Sequence, residues 1–269
     1  MDLGLAGAAV CVQGGSKGMG RAAARRFAAD GARIVILARD RAGIDEAVAE
    51  LDGLGAAEAW GVSMDLLDPA TIDAAFSEIG DRWGELNTLV NAAGPGSNLT
   101  TFDQIPDREW AEAFELGALS AARCTRAALP LLRAAEWARV VNVSAHSTKR
   151  QTATLAAYTA AKAAMTSISK NMSLALGPEE ILVNTVSPGS FASEGFKTGM
   201  RMMAADRDLD PDDLYDCMEW IRQDFGHPAH LPRAGDPDEI GPVIAFVGSR
   251  LNSYMTGANI NVDGGSDFT

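Results

Sequence analysis

Short apolar runs rich in β-branched residues recur along the chain, and each is followed by a longer stretch with helical periodicity. "AAVCVQGG" (8–15) has the continuous apolar character of a buried strand and ends in glycines. "RIVILAR" (33–39), "NTLVNAAG" (87–94), "ARVVNVSA" (138–145) and "ILVNTVSPG" (181–189) read the same way, and "NINVDGG" (259–265) closes the series. The stretch 20–32 reads as a helix with a glycine near its C-terminal end. Helical patterns also occupy 45–55, 70–84, 120–133 and 158–177. Strands that are apolar throughout, each followed by a helix, predict a parallel sheet covered on both faces. That is one doubly wound α/β domain over residues 1–269, with no repeats and no low-complexity segment. Such sheets bind ligands beyond the carboxyl ends of their strands.

Composition adds exclusions. At 269 residues and 47% hydrophobic, the chain suits a single large globular domain. No apolar run reaches eighteen residues, so no membrane span is expected. The N-terminus lacks a basic segment and a long apolar core, so no signal peptide is expected and the location is read as cytoplasmic. Cys11, Cys124 and Cys217 are odd in number and far apart. They make neither a disulfide framework nor a zinc site, and are expected as reduced thiols. A net charge of −13 excludes nucleic acid as a partner. The acidic stretch 204–220 reads as a solvated helical face.

"QGGSKGMG" (13–20) lies between the first strand and the first helix. Gly14 allows a tight turn, Gly18 lets backbone approach a pyrophosphate, and Gly20 lets the helix pack close to the sheet. The helix N-terminus offers N–H groups and a positive dipole end to phosphate. A carboxylate ending the second strand would select a ribose 2′-hydroxyl. Here that strand ends in Ala38 and Arg39, and Lys17 sits in the loop. Two cations and no acid at the tip favour NADP(H), with NAD(H) possible.

These features, taken in order, resemble the classical short-chain dehydrogenase/reductases. The resemblance runs from about Leu5 to Gly265 and adds Asp65-Leu66, "NAAG" (91–94), "YTAAK" (158–162), "SPG" (187–189) and "TGANINVDGG" (256–265). It implies a Rossmann-like fold with dinucleotide contacts from Gly14, Ser16, Lys17, Gly18, Met19 and Gly20, and from Arg39. Asp65 and Leu66 would border adenine, and Asn91, Ala92 and Gly94 the adenosine side. Pro188, Gly189, Phe191 and Ser193 would lie at the nicotinamide, Ser193 where the family usually has a threonine. A homo-tetramer or homo-dimer is also implied, with helices around 103–135 and 152–176 at one interface.

Tyr158 and Lys162 are four residues apart, so they share a helix face. A lysine ammonium beside a phenol lowers its pKa and lets it exchange a proton with an alcohol or ketone. Lys162 can also hold ribose hydroxyls. The reading is interconversion of a secondary alcohol and a ketone by direct hydride transfer. Two positions depart from the family's tetrad. Its serine falls at Ala145, which leaves Ser147, Ser144 and His146 as substitutes, or no substitute at all. Ser147 is favoured because it shares parity with Ala145 if the chain stays extended, whereas Ser144 points to the other side. Its asparagine falls at Gly117, whose missing side chain is expected to leave room for water or another group. Gln13 is a milder change, where the family prefers threonine. An alternative is a dinucleotide-binding sensor with little turnover.

The segment at about 190–233 is long for a substrate loop. Met200, Met202 and Met203, with Phe191, Phe196 and Trp220, are expected to form an apolar lid for a medium-sized apolar substrate. Packing of the methionines on the core or on a neighbouring subunit is the other reading. His227 and His230 read as loop or lid residues, not metal ligands.

Overall fold

The computed structural model describes residues 2–96 and 99–266. Met1, positions 97–98 and positions 267–269 of the expected domain lie outside the described residues. The first half of the chain runs β1 (Ala9–Gln13), α1 (Gly18–Ala29), β2 (Arg33–Ala38), α2 (Arg41–Gly53), β3 (Glu58–Ser63), α3 (Pro69–Trp83), β4 (Thr88–Asn91). It continues with α4 (Asp107–Phe114), α5 (Ser120–Ala134), β5 (Ala138–Val143), α6 (Ala156–Leu176) and β6 (Ile181–Pro188). The last elements are α7 (Glu194–Met203), α8 (Leu214–Phe225), α9 (Pro237–Val247) and β7 (Asn259–Val262). They form a single Rossmann-like α/β domain around a seven-stranded sheet of order β3-β2-β1-β4-β5-β6-β7, with parallel pairing throughout.

Alternate residues of each strand feed two cores, as the pleat requires. Val10, Val12, Ile34 and Ile36 pack with Phe27 of α1, Ile44 of α2 and Ile244 of α9. Ala9, Cys11, Val35 and Leu37 pack with Ile72 of α3, Leu132 of α5 and Leu176 of α6. Burying both faces explains why these strands read as continuous apolar runs. The three cysteines are free and buried. Burial pushes the Cys11 thiol well up, and the Cys124 thiol up to about 12. No helix among the described residues is long and apolar enough to cross a membrane.

Two expectations about the later chain need correction. The acidic stretch 204–220 is not one helical face. Asp210, Asp212 and Asp213 precede α8, and Asp213 caps it by accepting from the Tyr215 and Asp216 amides at 2.7 and 3.2 Å. Asp212 pairs with Lys197 at 2.8 Å. Proline and aspartate favour turns, so the helix begins only after "DPDD". The methionines also divide. Met200 is buried in a small third core with Met218, Trp220 and Ile221, whereas Met202 is 78% exposed. Met202 lies two residues beyond Met200, off the face that helix α7 buries.

Candidate active site

The strand order reverses between β1 and β4, and the crevice at that switch point is where such sheets bind ligands. A cleft of about 410 Å³ lies there. It is bordered by Gly14, Ser16, Lys17, Gly18, Met19 and Gly20 of the glycine loop, and by Arg39, Asp65 and Leu66. Ala92, Gly94 and Ser193 complete the border among the expected contacts. Gly14 has φ +79°, and a Cβ there would sit 2.5 Å from the Ala93 nitrogen. A Cβ at Gly20 would collide with the Gly14 carbonyl oxygen. The loop is therefore as tight as an L side chain forbids. Lys17 stands at the N-cap of α1 without a side-chain cap bond, so the helix end is left to interact with an anion. Gln13 ties β1 to the loop after β4 by accepting from the Ala93 N–H at 3.1 Å.

Arg39 and Lys17 are both exposed at the rim. The tip is not free of acid, as first read. Asp40 borders the same cleft, but its carboxylate caps α2 by accepting from the Gly43 N–H at 3.3 Å. Asn91 does not border the cleft's open space. It is buried, donates to Asn142 Oδ1 at 2.8 Å, and so joins β4 to β5 at positions that pair in register.

Tyr158 and Lys162 lie one turn apart near the N-terminus of α6. Helix α6 is fixed on β5 by polar contacts. Asn142 donates to Ser169 Oγ at 2.8 Å, and Ser144 donates to the Lys162 carbonyl at 3.1 Å. The buried Lys162 ammonium donates to the Val143 carbonyl at 2.8 Å. A Cβ at Gly94 would come within 2.7 Å of that Nζ, so the "NAAG" turn closes over the lysine. The expected lowering of the phenol pKa is overridden. Burial pushes Tyr158 up to about 12 and Lys162 down to about 8. Desolvation disfavours the charged form of each.

The departures from the tetrad have clear structural counterparts. Ser144 faces α6, lying 2.8 Å from Thr166 Oγ1, and does not border the cavity at Tyr158. Ala145, His146 and Ser147 do. Ser147 reaches it by a route different from the expected one. The chain does not stay extended after Ala145 but turns through a 3-10 helix over His146–Thr148. Ser147 is buried, and its Oγ accepts from Thr159 Oγ1 at 3.4 Å. Gly117 sits in a π-helical turn, Glu115–Leu119, between α4 and α5. The expected vacancy there is filled. A Cβ at Gly117 would lie 2.8 Å from Ala161 Cβ and 3.2 Å from Pro95 Cδ.

The cavity at Tyr158 measures about 390 Å³ and meets the dinucleotide cleft along Met19, Ser193 and Gly195, which border both. Pro188 and Gly189 form part of its floor, and Phe196, Trp220, Ile221 and Phe225 its apolar wall. Phe191 is not in either lining. Its ring is buried against Gly235, where a Cβ would come within 2.6 Å of Cε1, so only its backbone is left to touch a dinucleotide. His227 borders the cavity, whereas His230 packs at Gly265. Arg150, Leu155 and Phe225 also border it, and sequence reasoning missed them. They come from loops and helix ends with no motif of their own.

Gly117→Asn is expected to destabilise the fold by about 1–3 kcal/mol through overpacking. Urea unfolding measures this, and pairing it with Ala161→Gly should recover part of the loss. An unchanged midpoint for the single variant would show that the turn has room after all.

Comparison with known proteins places the chain among related sequences. A family model described as enoyl-(acyl carrier protein) reductase matches residues 14–267. The chain is similar to meso-2,3-butanediol dehydrogenase of Serratia marcescens, with 30% identity over 260 residues that cover 96% of this chain and 93% of that one. It is similar to 3-oxoacyl-(acyl-carrier-protein) reductase of Vibrio cholerae, with 30% identity over 264 residues, 97% of this chain and 98% of that one. Among solved structures, L-sorbose reductase from Gluconobacter frateurii complexed with NADPH and L-sorbose superposes with a TM-score of 0.91 at 27% identity, covering 100% of both chains.

Proposed function

The chain belongs to the short-chain dehydrogenase/reductase family, and from that premise we propose that it is an NADP(H)-dependent oxidoreductase interconverting a ketone and a secondary alcohol. The observation that carries the reading is the meeting of Tyr158 with Pro188 and Gly189 in a cavity that opens into the glycine-loop cleft. Relatives named for butanediol, 3-oxoacyl groups and sorbose all act on CH–OH or carbonyl carbon, which supports the reaction class. The apolar wall of Phe196, Trp220, Ile221 and Phe225 supports a substrate of medium size. The α7–α8 segment supplies that wall and is proposed as the lid.

A bound nicotinamide dinucleotide supplies or accepts the hydride. The glycine loop and the end of α1 would hold its pyrophosphate, and Lys17 and Arg39 a 2′-phosphate. Lys162 would hold ribose hydroxyls. Ser147 donates to the substrate oxygen in place of a hydroxyl at position 145. Tyr158, with its pKa near 12, carries its proton at neutral pH and delivers it to that oxygen. The protonated phenol is the form that reduction uses. In the other direction Tyr158 must first become a phenolate, which burial opposes.

Two further features belong to this reading. Phe102, Phe114 and Leu119 stay exposed around α4 and α5, and Leu174 on α6 is 69% exposed. These surfaces support a homo-dimer or homo-tetramer assembled through α4, α5 and α6. Three buried free cysteines accord with a reducing, cytoplasmic location.

Arg39→Ala is expected to erode preference for NADPH over NADH by roughly ten- to hundredfold, the worth of one charged hydrogen-bonded pair. Tryptophan-quenching titrations with each dinucleotide measure it, and an unchanged ratio of dissociation constants would remove the 2′-phosphate argument. Tyr158→Phe should lower kcat for ketone reduction by about 10²- to 10⁴-fold while dinucleotide binding persists. Equal turnover by the variant would exclude Tyr158 as the acid. The pH profile follows from the lysine. Below about 8 Lys162 is an ammonium, and above it the charge is lost, while Tyr158 stays protonated to about 12. Reduction kcat/KM is expected to hold level to about pH 8 and then fall. A profile flat through pH 9.5 would show that the lysine charge takes no part.

A further inference from the structure

We propose that His146 determines specificity by accepting a hydrogen bond from a substrate hydroxyl, which makes hydroxyketones, or diols in reverse, the substrate class of this site. The inference rests on the oxidoreductase reading above. It begins with one contact. His146 Nδ1 lies 3.1 Å from the Pro188 carbonyl oxygen. A carbonyl only accepts, so Nδ1 carries the hydrogen. Burial lowers the pKa of the ring, and His227 and Arg150 act in the same direction, while the Pro188 bond and Asp263 oppose them. The ring is therefore neutral at pH 7, and Nε2 bears a lone pair and no hydrogen.

His146 borders the same cavity as Tyr158 and Ser147. Those two hydroxyls can donate, and they suit the oxygen that reacts. His146 cannot donate from Nε2 while Nδ1 holds Pro188. A neutral imidazole acceptor repels a carbonyl or ether oxygen and favours an O–H. Most of the cavity's wall is aromatic or aliphatic, and the other polar side chains that border it are Arg150, Thr152, Ser190, Ser193 and His227. The cavity thus sorts oxygens by type: donors for the ketone, an acceptor for the hydroxyl. An unhydroxylated ketone would leave the acceptor unpaired in a partly desolvated place, which is the condition under which a missing hydrogen bond discriminates most.

The test compares 3-hydroxy-2-butanone with 2-butanone as substrates with NADPH, in the wild type and in His146→Asn. Asparagine can keep the donor to Pro188 but has no atom at the place of Nε2. The wild type should favour the hydroxyketone in kcat/KM by about ten- to hundredfold. His146→Asn should lose most of that preference, through a fall in hydroxyketone kcat/KM that exceeds any fall for 2-butanone by about tenfold. Equal kcat/KM for the two ketones in the wild type, or full preference in the variant, would overturn the inference. So would a strong preference for 2-oxobutanoate, which would assign the polar end to Arg150. If neither ketone is reduced, quenching of the tryptophans, among them Trp220 at the cavity, decides the inference, and the oxidoreductase reading rests on the dinucleotide titrations. Tighter binding of the hydroxyketone that His146→Asn abolishes upholds it, and equal binding overturns it.

Discussion

Helix α6 is pinned to strand β5 by buried hydrogen bonds, and the candidate site depends on that attachment. Apolar packing alone would let a helix slide or rotate by a few tenths of an ångström at little cost. Hydrogen bonds between buried groups do not, because a broken one strands a polar atom away from water at about 1–3 kcal/mol. Asn91, Asn142 and Ser169 form a chain from β4 through β5 to α6, and Ser144 and Lys162 add contacts one turn closer to Tyr158. The parallel register that pairs Asn91 with Asn142 makes the first of these bonds possible. Strand pairing thus sets the position of a tyrosine in another layer.

The same burial that makes the attachment strong sets the protonation of the site. A phenol and an ammonium close together in water would favour phenolate. In the folded chain desolvation disfavours the charge on each. Tyr158 moves up to about 12 and Lys162 down to about 8. The lysine meanwhile spends a donor on the Val143 carbonyl, which ties its position to the strand end.

Much of this was legible in the sequence, and the parts that were not share a cause. The strands announced themselves because both their faces are buried, so no polar residue interrupts "AVCV" or "IVIL". The glycine loop was legible because Gly14 and Gly20 stand where a Cβ would strike backbone, a local constraint. Ser147 was named from strand parity, yet it arrives by a 3-10 turn that parity does not foresee. The outward turn of Met202 and the withdrawal of Phe191 against Gly235 depend on which face of a distant element is available. Asp40 was overlooked because its role as a cap becomes visible only once α2 begins beside it. Local spacing carries local structure, whereas the pKa shifts and side-chain choices at the site come from contacts made by residues far apart in the chain.

Position 117 shows how such a distant contact changes a functional argument. A glycine where a polar side chain is expected reads in sequence as a loss, and a loss would leave a hole. The hole is absent because Ala161 and Pro95 occupy it, at distances that leave no place for a further carbon. A cavity of one side chain would cost stability in proportion to its volume, so the three residues act as one packed unit. Ala161 also precedes Lys162 in the helix, which couples this packing to the placement of the lysine. A recess of about 130 Å³, bordered by Pro95, Glu112, Leu116 and Tyr158, opens beside this packed unit.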